Sequence, residues 1–132
     1  MFGLSINRFD SDPERVSDIL DLQPTFVARK GEKSPQSGRP YGANLWQLDA
    51  HPDRLFGGVE HENGLATIVA LLGGREQRFA RLRQEVGPEI VSLYGGLYVR
   101  EDEQCGVWLD PEQMRVLSRC EVGWGLDIFT AG

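Results

Sequence analysis

The sequence is poor in the residues that most often build catalytic and metal centres. It contains two cysteines, Cys105 and Cys120, and two histidines, His51 and His61. Two cysteines are too few for a disulfide scaffold, and their spacing matches no zinc or redox motif, so buried free thiols are expected. The histidines have acidic neighbours but lack the i, i+4 spacing of a helical ligand pair, which favours solvated polar residues. We therefore predict no metal site and no cofactor.

Motifs for nucleophilic catalysis and for membrane insertion are also missing. The sequence has no G-x-S-x-G motif, and Cys105 lies among acids that disfavour its thiolate. Its longest apolar segment, residues 65–72, is too short to span a bilayer. The N-terminus lacks a basic region followed by a long apolar run, as a signal peptide would have. These features predict no catalytic residue, no membrane partner and a cytoplasmic location.

Basic residues are outnumbered, since the 132-residue chain has 14 lysines and arginines against 20 aspartates and glutamates, a net charge of −6. An acidic chain lacks the basic face that neutralises phosphates, which argues against nucleic acid as a partner. An acidic protein can instead be matched to a basic protein partner. The length and the 40% hydrophobic fraction are those of one globular domain, residues 1–132.

Hydrophobic periodicity predicts alternating strands and helices along the chain. Two helices begin at Asp-Pro-Glu, with Asp12 and Asp110 as N-caps and Gln113 placed to complete a capping box. A third helix contains the i, i+3, i+4, i+7 spacing of residues 65–72 and ends at Gly73-Gly74. The predicted strands are residues 2–9, 25–29, 43–48, 89–100 and 124–129; the predicted inner faces of the last two helices are Phe79, Leu82 and Val86, and Met114, Leu117 and Cys120.

The resulting order is strand, helix, two strands, two helices, strand, helix, strand, or βαββααβαβ. This order predicts an α+β fold in which helices cover one face of a mostly antiparallel sheet, with a ferredoxin-like relative as the nearest simple architecture. Gly95-Gly96 is expected to bulge or bend the fourth strand.

Several short motifs connect the chain to a known family. They are LQPT at residues 22–25, RKGE at 29–32, WQL at 46–48 and GLDIF at 125–129, together with the paired middle helices. With these features the chain resembles a bacterial family known as domain of unknown function 4279. The resemblance implies a small intracellular α+β domain and supplies no activity or site residue to carry over.

The candidate site is a basic loop, residues 29–39, in which four cations stand against one acid, Glu32. Its glycines would let backbone amides approach an anion, and an aromatic residue beside it would supply a stacking wall. The spacing matches no P-loop or dinucleotide motif, so a solvated loop whose charges protect a sheet edge remains an alternative. The predicted ligand- or partner-binding residues are Arg29, Lys30, Arg39, Tyr41 and Trp46.

A row of arginines on the third predicted helix is a further candidate. Arg75, Arg78 and Arg81 lie near one side of the helix at three-residue spacing. They suit phosphate or an acidic partner, but Glu76 and Glu85 are close enough in sequence to favour an exposed, salt-bridged face.

Two functions from different classes follow. The first is a non-enzymatic cytoplasmic interaction protein, immunity or adaptor-like, which binds a protein through its exposed sheet face or the basic loop. The second is a binding protein or an enzyme that takes a small anionic ligand between the basic loop and Trp46. An unpaired edge strand would also allow a dimer.

Overall fold

The chain folds as the predicted α+β arrangement. In the computed structural model, which describes residues 2–50, 58–100 and 106–131, the elements follow one another as βαββααβαβ. The strands are β1 (Phe2–Asn7), β2 (Phe26–Ala28), β3 (Leu45–Ala50), β4 (Ile90–Arg100) and β5 (Gly123–Ala131); the helices are α1 (Pro13–Leu20), α2 (Gly58–Leu72), α3 (Glu76–Glu85) and α4 (Pro111–Cys120). The element order and the α+β class predicted from the sequence are therefore confirmed.

The five strands form one open sheet in the order β2-β3-β1-β4-β5. The central strand β1 pairs antiparallel with both β3 and β4, β2 pairs antiparallel with β3, and β4 and β5 are parallel. The mostly antiparallel sheet is confirmed, whereas a ferredoxin-like order is not. The strand order depends on the pairing of β1 with β4, which joins segments distant in sequence and leaves no local pattern.

One face of the sheet is covered by the helices. Phe2, Leu4 and Ile6 of β1 point to this face and are fully or almost fully buried. Helices α1 and α2 lie against the sheet, and α3 and α4 pack on them. The hydrophobic core receives residues from every helix and from the central strands, among them Val16, Ile19, Trp46, Leu65, Ile68, Leu72, Phe79, Leu82, Leu93, Leu117 and Cys120. The opposite face has polar, half-buried residues such as Ser5, Gln47 and Ser92.

Both predicted Asp-Pro-Glu helix starts are confirmed. Asp12 accepts a hydrogen bond from the backbone N–H of Glu14, and Asp110 forms a reciprocal capping box with Gln113. These caps satisfy N–H groups that have no partner within the helix. The predicted inner face of α4 is wrong at one position, because Leu117 is buried but Met114 is 51% exposed. Helix α4 packs on α2 and α3, and its buried residues are Leu117 and Cys120, in the second half of the helix.

Two of the three predicted arginines, Arg75 at the N-cap of α3 and Arg78 within it, support the ends of other helices. Arg75 donates to the carbonyl oxygens of Leu20 (3.1 Å) and Leu71 (2.6 Å), and Arg78 donates to the carbonyl of Ile19 (3.2 Å). The last carbonyls of a helix have no intrahelical donor, so these guanidinium groups act as a C-terminal cap supplied by another helix. Of these three arginines, Arg81 has the expected salt bridge within the described part of the chain, to Glu85.

Strand β4 passes through Gly95 and Gly96 without the predicted bulge. Its register is continuous against β1 and against β5. The ring of Phe2 lies so close to Gly95 that a Cβ atom there would collide with it. Gly95 is therefore required by the close approach of an aromatic ring, not by a change in strand pairing. Among the residues that the structure describes, no helix is long and apolar enough to cross a membrane.

Candidate functional site

The basic loop forms an ordered hairpin within the connection of residues 29–44 between β2 and β3. The backbone N–H of Tyr41 donates to the carbonyl of Glu32 (2.8 Å), and that of Ser34 donates to the carbonyl of Arg39 (2.8 Å). Lys33 and Pro40 form an isolated antiparallel bridge between these bonds. Gly31 and Gly38 adopt positive φ angles of 90° and 69°, which the turns require and which glycine reaches without strain. The loop is thus held in shape by its own backbone.

Asn44 fixes the base of this hairpin, although the sequence analysis did not select it. Its side chain is buried; the amide nitrogen donates to the carbonyl of Ser11 (2.9 Å), and the amide oxygen accepts from the backbone N–H of Lys30 (2.7 Å). Its own carbonyl accepts from the backbone N–H of Arg8 (3.1 Å). A buried amide with these bonds ties β1, the start of α1 and the loop together. The sequence signal is slight: a polar residue immediately before an alternating strand.

Arg29, the first predicted site residue, forms an ion pair with Asp12, the N-cap of α1. Its Nε and Nη2 atoms donate to the two carboxylate oxygens of Asp12, each at 3.3 Å. Hydrogen bonding to Arg29, followed by the bond from the Glu14 backbone, lowers the pKa of Asp12 below its ordinary value. Arg29 therefore joins the loop to the cap of α1 and offers little of its charge to a ligand.

Lys30 and Tyr41 line a cleft of about 720 Å³ beside the hairpin. The cleft lies between the end of β1, which supplies Asn7 and Arg8, and the α3–β4 connection, which supplies Glu89. Arg8 and Glu89 are neighbours in the cleft wall, where the backbone N–H of Glu89 donates to the Arg8 carbonyl (3.1 Å) and their side chains form an ion pair (3.6 Å). Within the described part of the chain, Lys30 is the lining cation without an ion pair. The Tyr41 ring is held by an edge-to-face contact with Phe26, with centroids 6.4 Å apart.

The structure thus separates the predicted site residues. Trp46 is fully buried on the helix face, where its Nε1–H donates to the hydroxyl of Ser17 (3.0 Å). It cannot line the cleft, because alternation along β3 directs it to the opposite side of the sheet. Arg39 is exposed at the far end of the hairpin. Lys30 and Tyr41 are brought together, while Arg29, Arg39 and Trp46 lie elsewhere, and binding by any of them stays a prediction.

A comparison with protein-family models assigns the chain to a family. The model described as domain of unknown function (DUF4279) matches residues 2–130. The chain belongs to this family. A search of curated proteins and a search of solved structures found no match. The DUF4279 assignment confirms the family resemblance seen in the sequence, and its description names no activity.

The open face of the DUF4279 domain contains a second polar arrangement, a hydrogen bond from the Tyr94 hydroxyl to Asp49. Burial, and then the bond to Asp49, raise the pKa of Tyr94 above its ordinary value. A phenol held in its neutral form donates a hydrogen bond but does not act as a base near neutral pH. This pair therefore fits a structural role on the sheet.

The other reactive groups that the structure describes in the DUF4279 domain are not arranged as a catalytic or metal centre. The described residues contain no group of three or more histidines, cysteines or acids able to hold a metal ion. Cys120 is a buried free thiol, as predicted, and burial raises its pKa to about 11. His51 and Cys105 lie outside the described residues, and His61 falls within α2.

Proposed function

We propose that this DUF4279 domain is a non-enzymatic interaction protein, immunity or adaptor-like, that contacts an acidic patch of a protein partner with the basic loop. The observation that carries the proposal is the preformed hairpin around Lys33 and Arg39. The Lys33–Pro40 bridge and the bond from Ser34 to the Arg39 carbonyl bring these two cations to opposite sides of one narrow turn.

The charges of the hairpin favour contact with acidic groups. Lys33 and Arg39 are exposed, and neither forms an ion pair with any residue that the structure describes. They form a local basic surface on a chain whose net charge is −6. Such a surface orients an approaching acidic partner and increases the rate of association. Because the backbone bonds already fix the loop, binding loses little conformational entropy.

The test is affinity capture from a lysate of the source organism, with the parent chain and a Lys33→Glu/Arg39→Glu variant as baits. The expected result is a stoichiometric partner that is retained by the parent, released by salt and absent from the variant. An Arg115→Glu/Arg119→Glu variant on α4 is the matched control, because it makes the same change in net charge away from the loop. Arg29 is left intact, since its replacement would remove the contact with Asp12.

Equal capture by the loop variant and the parent would place the interface elsewhere and overturn the assignment to the loop. If the loop variant and the α4 control both lose the partner, net charge alone accounts for binding. Circular dichroism of each variant separates either result from misfolding.

A second candidate function is binding of a small anionic ligand in the cleft beside the hairpin. Its specific support is Lys30, which lines the cleft together with Tyr41 and has no ion pair to any residue that the structure describes. A volume of about 720 Å³ falls within the usual range of ligand sites, roughly 300–1,000 Å³.

Titration calorimetry with inorganic phosphate and phosphate-bearing metabolites tests this second function. Binding to the parent should be lost in Lys30→Met and retained in Lys33→Met, which removes a neighbouring cation outside the cleft. Heat of binding that survives in Lys30→Met would contradict the cleft assignment.

A further inference from the structure

Strand β5 forms an edge of the sheet that carries few of the usual protective features. It pairs with β4 on one side, and no strand of the described chain lies on its other side. The strand is nine residues long and contains no lysine, arginine or proline, with Asp127 as its single charge. Natural edge strands are generally short, charged, bulged or covered, because their free N–H and C=O groups otherwise pair with another strand.

The side chains of β5 extend the hydrophobic layer of the core beyond the helices. Trp124, Leu126 and Ile128 pair with Leu93, Gly95 and Leu97 of β4 and therefore share the helix-covered face. Leu93 and Leu97 are 0% and 1% exposed, whereas Trp124, Leu126 and Ile128 are 40%, 37% and 63% exposed. The exposed fraction of the side chains on the helix-covered face therefore rises sharply between β4 and its neighbour β5. Strand β5 thus presents an apolar row and an open backbone edge together.

We propose that a second copy of the chain covers this edge, with β5 paired antiparallel to the β5 of the partner subunit about a two-fold axis at Leu126. The proposal is independent of the basic loop. A two-fold axis perpendicular to the sheet makes the two edge strands antiparallel and keeps the helices of both subunits on the same face. The two sheets then continue as one, and the apolar row of each subunit meets that of the other.

The choice of Leu126 follows from the side chains that each register brings together. An axis at Leu126 places Trp124 opposite Ile128 of the partner subunit and Leu126 opposite its own copy. Aromatic and β-branched residues are favourable cross-strand pairs. The same register places Asp127 opposite a glycine, Gly125 of the partner subunit, so that no carboxylates are directly opposed.

The neighbouring registers are poorer. An axis at Asp127 would set the two Asp127 carboxylates directly opposite each other, which is destabilising. An axis at Gly125 would pair that glycine with its own copy and leave Ile128 without a partner inside the strand. Of these three registers, the one about Leu126 makes the sequence of β5 self-complementary. This self-complementarity favours a second copy over an unrelated strand as the occupant of the edge.

The first test is the mass of the full chain in solution, measured by sedimentation velocity over a range of protein concentrations. The parent should sediment as a dimer, and Ile128→Lys should sediment as a monomer. Phe26→Lys is the matched control: Phe26 is 41% exposed on β2, at the other edge of the sheet, and its replacement should leave the dimer intact. A monomeric parent, a dimeric Ile128→Lys or a monomeric Phe26→Lys would each overturn the proposal.

The second test addresses the register and does not require the dimer to be weakened. Directly opposite residues of antiparallel strands have Cα atoms about 4.5–5.5 Å apart, within the span of a disulfide, about 4.4–6.8 Å. Mild oxidation of Leu126→Cys should therefore give a disulfide-linked dimer. In Ile128→Cys the two introduced thiols would lie about 13 Å apart along the strands and should not link.

The parent chain is oxidised in parallel as a control, because it shows how much disulfide linkage the native Cys105 and Cys120 give. Linkage of both variants to the same extent, or of neither, would contradict pairing about Leu126.

Discussion

The hydroxyl of Tyr94 on β4 donates a hydrogen bond to the carboxylate of Asp49 on β3, although β1 lies between these two strands. The two side chains meet above Gly3, which is paired with Asp49 on one side and with Tyr94 on the other. A Cβ atom on Gly3 would lie 2.5 Å from Asp49 Oδ1 and 2.6 Å from the Tyr94 hydroxyl. The absence of a side chain on the central strand therefore permits a contact between its two neighbours.

Replacing Gly3 by alanine should destabilise the fold. The added methyl group would force the Tyr94–Asp49 pair apart, and overpacking of this kind usually costs about 1–3 kcal/mol. The free energy of unfolding in urea measures the effect. Gly106→Ala is the control, since a Cβ at Gly106, outside the proposed β5 interface, would meet no atom within 4 Å. Equal stability of the two variants would show that the open face readily accommodates the methyl group.

Tyr94 should make stability fall at alkaline pH. Its pKa is raised in the folded chain, first by burial and then by the bond to Asp49, above the ordinary value of 10.0. The stabilising contribution is therefore complete below pH 10 and is lost as the pH rises towards the folded pKa, because the unfolded chain releases the proton first.

Unfolding free energies from pH 8 to 11 should decrease more steeply in the parent than in Tyr94→Phe. Parallel curves for the two proteins would be inconsistent with a raised pKa at this residue.

Ser17→Ala should destabilise the core through Trp46. The indole Nε1–H of this fully buried side chain donates to the Ser17 hydroxyl at 3.0 Å. Removal of the acceptor leaves a buried donor unsatisfied, at a cost of about 1–3 kcal/mol. In a Trp46→Phe background, where no donor remains, the same substitution should cost less.

Urea unfolding of the four proteins of this cycle gives the coupling between the two residues. Ser118→Ala on α4 serves as the control, because Ser118 is exposed. Identical losses in both backgrounds would exclude the hydrogen bond as the cause.

The thiol of Cys120 should be unreactive in the folded chain. It is fully buried and donates to the carbonyl of Leu72 (3.6 Å), and burial raises its pKa from 9.0 to about 11. Since the thiolate is the reactive species, a Cys105→Ser variant should show almost no reaction with a disulfide reagent at pH 8 until urea unfolds it. Rapid labelling without urea would mean that the C-terminal end of α4, where Cys120 lies, opens readily in the folded chain.

The sequence predicted those parts of the fold that depend on neighbouring residues. The caps at Asp12 and Asp110 and the end of α2 at Gly73 follow from contacts within a few residues, and all three are confirmed. The inner face of α4 was wrong at Met114, because helical periodicity gives the direction of a side chain but not the extent of the surface that covers it.

The candidate site was less predictable because neighbours in sequence need not share a surface. Lys30 and Trp46 were expected together, yet β3 directs Trp46 into the core while the hairpin leaves Lys30 at the cleft. The contact of Arg29 with Asp12 joins the basic loop to the start of α1, far away in sequence. Asn44, which organises the loop base, became evident only from its three partners.

The sequence by itself determined the family, the α+β class and the order of elements, since periodicity, caps and turn residues act locally along the chain. The tertiary structure alone decided the strand order, the separation of the basic residues and the exposure of β5. These depend on which strands pair across long stretches of chain and on where the helices end above the sheet. Trp124, Leu126 and Ile128 have the alternation of an ordinary core strand, and only their position at the sheet edge leaves them exposed.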